Sequence, residues 1–115
     1  MKNMGTYLKA KKGEIYIAKV RFSDDSTVKI RPLLVVFVEQ SDDDVVGLFI
    51  TSQSARTVFD VSISAWREAG LEKPSIVRTS KPGTYHQSRL LKKIGELDEK
   101  DLKKVLATFR EIPVS

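Results

Sequence analysis

Apolar and polar positions change their period several times along the chain. Residues 1–12 are polar and rich in lysine, which predicts a flexible basic arm with no face to bury. Gly13 opens a stretch, Glu14 to Val20, in which Ile15, Ile17 and Val20 stand against Tyr16 and Lys19, as in a strand. Ser23 to Lys29 is polar, with Asp24 and Asp25 adjacent, and reads as a loop. Leu33 to Val38 is an unbroken, valine-rich apolar run, the pattern of a strand buried on both faces. Pro32 suits the start of that strand, where a missing N–H costs little. Gln40 to Asp44 predicts a turn, making a hairpin into a strand over Val45 to Ile50. After a polar loop at Gln53 to Thr57, Val58 to Ile63 alternates: Phe59, Val61 and Ile63 inward, Asp60 and Ser62 outward. Ala69-Gly70 marks a turn, Ile76-Val77 opens a strand after Pro74, and Pro82-Gly83 signals another turn. Leu90 to Leu97 holds a short apolar pair around Ile94 and Gly95.

The period then becomes helical. Leu102, Val105, Leu106 and Phe109 recur on one face. Asp98 is placed as an N-cap, Asp101 as the partner of a capping-box-like arrangement, and Leu97 and Leu102 as a hydrophobic staple. Acids precede Lys103, Lys104 and Arg110, matching the helix dipole, and Pro113 ends the segment. The spacing predicts a helix over 98–111. Several short strands followed by one helix predict an α+β, mainly β domain spanning 1–115, a small barrel-like sheet with the helix packed on it.

Composition narrows the chemistry. The chain has 115 residues, no cysteine and one histidine, which excludes a disulfide framework, a zinc ribbon and thiol catalysis and leaves metal binding only to carboxylates. The longest purely apolar run falls far short of the ~20 residues of a membrane helix. With no apolar leader run, the expected location is the cytoplasm, without membrane attachment. The net charge of +5 permits an anionic partner. Its distribution says more: Arg78, Lys81, Arg89, Lys92 and Lys93 lie in one segment without an acid, and their charge equals the whole excess. Such a stretch is either a solvated loop or a groove wall facing phosphates. Phosphate-loop, dinucleotide-binding and HExxH motifs are absent. Instead, polar residues gather at strand ends: Arg31 before the buried run, Thr51-Ser52-Gln53-Ser54 after a second strand, and Arg78-Thr79-Ser80-Lys81 after a third. Strand ends are positioned by a rigid sheet and make natural sites.

At these residues the chain resembles the MazF/PemK-type toxins. Lys12-Gly13-Glu14-Ile15-Tyr16 is similar to their opening strand, Ile30-Arg31-Pro32-Leu33-Leu34-Val35-Val36 to their Arg-Pro-apolar strand, and Leu48-Phe49-Ile50-Thr51-Ser52-Gln53 to their strand ending in Thr-Ser/Thr. Ala69-Gly70-Leu71-Glu72-Lys73-Pro74-Ser75-Ile76-Val77-Arg78 resembles their Gly-Leu-x-Lys-Pro-Ser-x-Val-Arg segment, and Ile94-Gly95-Glu96-Leu97 with the capped helix matches their ending. Five motifs in the right order run from about Lys12 to Ile112.

The resemblance implies a Src-homology-3-like barrel with a C-terminal helix. It implies a toxin endoribonuclease that cuts single-stranded mRNA without metal or other cofactor, leaving a cyclic phosphate and a 5′-OH. It further implies a homodimer neutralised by a small antitoxin with a disordered, partly acidic tail, and contact with operator DNA only as the toxin–antitoxin complex. Carried onto this chain, the motifs assign catalysis to Arg31, Thr51 and Ser52. Where relatives place a glutamate five residues before the arginine as a base candidate, this chain has Ser26 with Asp24 and Asp25 just before it, and Asp25 takes the catalytic place if the loop slides by one residue. Where relatives carry an aspartate after the Val-Arg strand, it has Ser80. Substrate contacts are expected from Lys29, Arg56, Arg78, Ser80, Lys81 and His86. A second reading is a barrel of the same fold that cuts weakly or not at all and binds nucleic acid or an acidic peptide.

Overall fold

The computed structural model describes residues 9–21 and 27–113. Six strands form in chain order: β1 (Glu14–Arg21), β2 (Val28–Glu39), β3 (Asp44–Thr51), β4 (Asp60–Ser62), β5 (Ile76–His86) and β6 (Leu90–Glu96). A 3-10 turn, Gln87–Arg89, joins the last two, and helix α1 (Glu99–Arg110) follows. The strands form one antiparallel sheet in the order β4-β5-β3-β2-β1-β6. Its ends, β4 and β6, do not pair with each other, so the mainly β architecture is as expected but the barrel is not closed.

Alternation along the strands builds two apolar clusters. Ile15, Leu34, Val36, Leu48, Ile50 and Val77 belong to one, which α1 covers through Val105, Leu102, Leu106 and Phe109. Tyr16, Ala18, Val20, Leu33, Val35 and Val45 belong to the other. Leu33 to Val36 feed both clusters in turn, which is why that run has no polar position. Trp66 packs against the first cluster, with the Arg67 guanidinium 4.7 Å from its ring centroid.

The helix has its expected N-cap: the Asp98 carboxylate accepts from the Lys100 N–H at 3.0 Å. Asp101 does something other than complete a capping box. It is buried, and its two oxygens accept from the N–H groups of Ser64 and Ala65 at 3.1 and 2.9 Å, tying α1 to the loop after β4. The strand expected over Val58 to Ile63 shortens to three residues, leaving Val58 86% exposed. Pro82-Gly83 is not a turn but lies inside β5, opposite Leu48 and Gly47. The β5 register jumps from Arg78 to Pro82, so Thr79, Ser80 and Lys81 form a bulge, and pairing with β3 resumes beyond it.

Residues 1–8 of the expected arm lie outside the described residues. Its last part is anchored: Ala10 is buried and its N–H donates to Gln87 Oε1 at 2.7 Å. Beside it, Glu14 Oε1 accepts from the Lys11 N–H at 2.7 Å and the Tyr16 hydroxyl at 2.9 Å, while Oε2 pairs with Lys93 at 2.8 Å. Burial alone would raise the Glu14 pKa, but these hydrogen bonds and the Lys93 charge outweigh it and hold the carboxyl below its ordinary value. Burial, then the Glu14 carboxylate, pushes the Tyr16 phenol up to about 12. Two glycines bring the loop of residues 64–75 onto β6 with backbone touching backbone. A Cβ at Gly70, which has φ +90°, would meet the Ile94 carbonyl, and one at Gly95 would meet the Ala69 carbonyl.

The lowered Glu14 pKa fixes a sign. Its contribution is present above the unfolded-state value and is lost as pH falls through the lower folded-state value. In urea titrations from pH 7 to pH 3, the wild type is expected to lose more stability than Glu14→Gln in that acidic window, so that the two curves converge.

Candidate active cleft

Two strands that run together at one end part at the other. The β2–β3 ladder begins at Leu33↔Phe49. Upstream of Leu33, β2 stays paired with β1 back to Val28, and downstream of Phe49, β3 stays paired with β5 out to Thr51. Pro32 has no N–H to offer, and the ladder to β3 ends beside it. The gap is a cleft of about 600 Å³. Ile17, Pro32, Ile50 and Ile94 supply its apolar lining, and Arg31, Thr51, Ser52 and Gln53 its polar lining from the strand ends. Extending the β2–β3 register by two residues would set Arg31 beside Thr51. The 64–75 loop adds Glu72 and Lys73, and β6 adds Lys92. Among the described residues, three cations therefore line the cleft with one carboxylate, a balance that favours an anionic ligand.

The side chains have defined directions. Arg31 is exposed, and its Nη1 donates to its neighbour's carbonyl, Ile30 O, at 2.9 Å, using one of the guanidinium's five donors. The Thr51 oxygen accepts from the Gln53 N–H at 3.2 Å, which leaves the hydroxyl proton to donate. Ser52 is exposed at the rim.

Arg78 and Arg56 reach the cleft indirectly. Both donate to Gln53 Oε1, Arg56 Nη2 at 3.1 Å and Arg78 Nη2 at 3.5 Å. Arg78 is mainly a structural ion-pair partner: its Nη1 lies 3.3 Å from Asp60 Oδ2, with 14% of the Arg78 side chain and 1% of the Asp60 side chain exposed. Asp60 thus corrects the expectation that it faces outward. Its Oδ2 also accepts from the N–H groups of Arg56 at 2.7 Å and Thr57 at 3.3 Å, folding the loop before β4, while Oδ1 is buried without a hydrogen-bond partner.

The other expected contacts do not line the cleft. Lys29 lies upstream of Arg31 on β2, half-buried. Ser80 and Lys81 are exposed in the β5 bulge. His86 pairs with Asp44, at the far end of β3 from Thr51, and its Nδ1 accepts from the Ser88 N–H at 3.1 Å. Asp25 lies outside the described residues. Gln53, Glu72, Lys73 and Lys92 were not assigned as site residues from the sequence. All four sit inside segments already singled out there, but position in a motif does not say which side chains share a cavity. Among the described residues, no three histidine or carboxylate groups come together as a metal site.

The family model described as PemK-like, MazF-like toxin of type II toxin-antitoxin system matches residues 11–112. The chain belongs to this toxin family. Among solved structures it is similar to the Mycobacterium tuberculosis toxin MazF-mt6, with 23% identity, a TM-score of 0.67, and 84% of this chain and 91% of that one covered. An endoribonuclease in complex with its cognate antitoxin from a Mycobacterial species is 18% identical, with a TM-score of 0.71 and coverage of 93% and 100%. MazF from Deinococcus radiodurans is 16% identical, with a TM-score of 0.70 and coverage of 87% and 92%. At these identities the likeness is one of fold. Among curated proteins, none matches the chain significantly by sequence.

Asp60→Ala leaves Arg78 without its carboxylate and two loop N–H groups without an acceptor. Chemical denaturation is expected to show a loss of about 3 kcal/mol, the scale for breaking one side of a largely buried pair.

Proposed function

We propose that this toxin is an endoribonuclease that cuts single-stranded RNA in the cleft where β2 and β3 part. The observation that supports it best is the convergence of Arg31 and Thr51 in one cationic, apolar-floored gap. In this reading the RNA's own 2′-oxygen attacks phosphorus, the bond to the 5′-oxygen breaks, and that oxygen takes a proton. The products are a 2′,3′-cyclic phosphate and a 5′-OH. No step requires a metal ion. The transition state carries extra charge on the nonbridging oxygens, and a planar guanidinium is suited to hold it. Arg31 takes that role and is the proton donor to the leaving oxygen. Thr51, with its hydroxyl proton available, donates to a nonbridging oxygen, and Ser52 binds at the rim. Lys73 and Lys92 hold flanking phosphates. Arg78 and Arg56 act through Gln53, and Lys29, Ser80, Lys81 and His86 extend contact along the strand outside the cleft.

The 2′-OH proton goes to a carboxylate, Asp25 in the first loop or Glu72, which lines the cleft. The functional unit is a cytoplasmic homodimer, held inactive by a small antitoxin whose acidic tail occupies the same cationic cleft. The second reading, binding of RNA or an acidic peptide without cutting, is favoured by the lining of the cleft, where Glu72 is the one carboxylate among the described residues.

Purified protein with a long RNA in EDTA is expected to yield fragments with cyclic-phosphate and 5′-OH ends. Arg31→Ala and Thr51→Val are each expected to slow cleavage by about 10²–10³, the scale for removing one transition-state donor. Absence of cleavage above the Arg31→Ala background, with salt-dependent RNA binding retained, selects the second reading. Comparison of Glu72→Gln with Asp25→Asn identifies the base: the variant lacking it is expected to lose roughly 10²–10⁴ in rate, and the other to lose far less.

A further inference from the structure

Gln53 carries a direction that its neighbours impose. Its Oε1 accepts from Arg56 Nη2 at 3.1 Å and Arg78 Nη2 at 3.5 Å. Both arginines are fixed by one carboxylate, Asp60, which binds the Arg78 guanidinium and the Arg56 backbone N–H. A guanidinium has donors only, whereas a carboxamide has one accepting and one donating end. Turning the Gln53 amide over would set its NH2 against two guanidinium groups, donor against donor. The hydrogen-bond network therefore determines which way the amide points, a choice that is ambiguous for an isolated glutamine. The Gln53 backbone N–H is also taken, by Thr51 Oγ1. What this side chain offers to a ligand in the cleft is the Nε2 amino group, a pure donor.

We infer that Gln53 reads a base beside the scissile phosphate and selects one with a keto group there, uracil or guanine, against cytosine and adenine. The inference rests on the reading of the cleft as an RNA-cutting site. A keto oxygen, O4 of uracil or O6 of guanine, accepts from the amide. Cytosine and adenine present an amino group at the equivalent place, and two donors then face each other with neither satisfied. The reader and the chemistry are coupled through the chain: the Gln53 N–H is bonded to the hydroxyl oxygen of Thr51, so base and phosphate are gripped by adjacent parts of one turn. Arg56 and Arg78 are positioning residues here, because they orient the amide through its oxygen.

The test uses the full chain and an RNA carrying a randomised segment, cut in EDTA with the ends sequenced. For the wild type, one position next to the cut is expected to favour uracil and guanine by about tenfold over cytosine and adenine, the discrimination of a single hydrogen bond. Gln53→Glu keeps an oxygen for both arginines and presents an acceptor to the base, so the preference at that position alone is expected to turn toward cytosine and adenine. Gln53→Leu is expected to flatten it. The readout is a ratio between sites within one reaction, so a fall in total activity does not alter it. Where a variant cuts too slowly to map, competition between two short RNAs differing by uracil and cytosine at that position measures the same ratio by binding. A wild type that cuts without a keto preference at any position, or an unchanged preference in Gln53→Glu, overturns the inference and leaves the cleavage reading standing. A wild type that neither cuts nor binds RNA overturns both.

Discussion

Strand β2 passes through Pro32 with no N–H to give, and the ladder to β3 ends at the next residue. Much of the site follows from that one missing donor. On one side of that point, β2 and β3 stay paired through the buried Leu33, Leu34 and Leu48, with one register shift between Val35 and Phe37. On the other side the strands are free to part, each still supported by its outer neighbour, β1 or β5. Arg31 and Thr51 are thus held by a rigid sheet yet not joined across it. A continuous ladder would close the space between them, which the proposed function gives to a phosphodiester. A flexible loop would leave the space but lose the positioning that transition-state stabilisation demands.

Charge is arranged differently from its arrangement in the sequence. The segment from Arg78 to Lys93 holds cations equal to the entire net excess, but not as a bare wall. Arg78 is paired with Asp60, and Lys93 with Glu14 and Glu96. Lys92 alone among these five cations lines the cleft, where Arg31 and Lys73 join it from elsewhere in the chain. The cationic field at the cleft is assembled from three separate segments and only partly from the segment that looked most basic.

The elements themselves were largely legible. Period and capping residues predicted β1, β3, the apolar heart of β2 and the helix, because those signals are local and each buried face demands them. What escaped was long-range. Pro82-Gly83 reads as a turn in isolation, yet a bulge at Thr79 to Lys81 absorbs the irregularity and keeps the strand going. Asp60 alternates as an outward residue, but a carboxylate can be buried once an arginine and two backbone N–H groups meet it. Asp101 occupies a capping-box position and is captured instead by the Ser64 and Ala65 N–H groups. In the cleft, Arg31, Thr51 and Ser52 were readable because they sit at strand ends within recognisable motifs. Glu72, Lys73 and Lys92 were not, since their meeting depends on how the loop of residues 64–75 lies against β6.

That loop rests on β6 through Gly70 and Gly95, where main chain meets main chain with no side chain between them. The distance across this seam is therefore dictated by peptide geometry, not by which side chains happen to flank it. Glu72 and Lys73 project from the loop so anchored, and Lys92 from the strand that anchors it. Substitution at those three positions can change the charge and reach of one wall while the width of the gap stays the same. Such a seam separates the chemistry of the wall from the spacing that carries it, so the first can vary without the core being rebuilt.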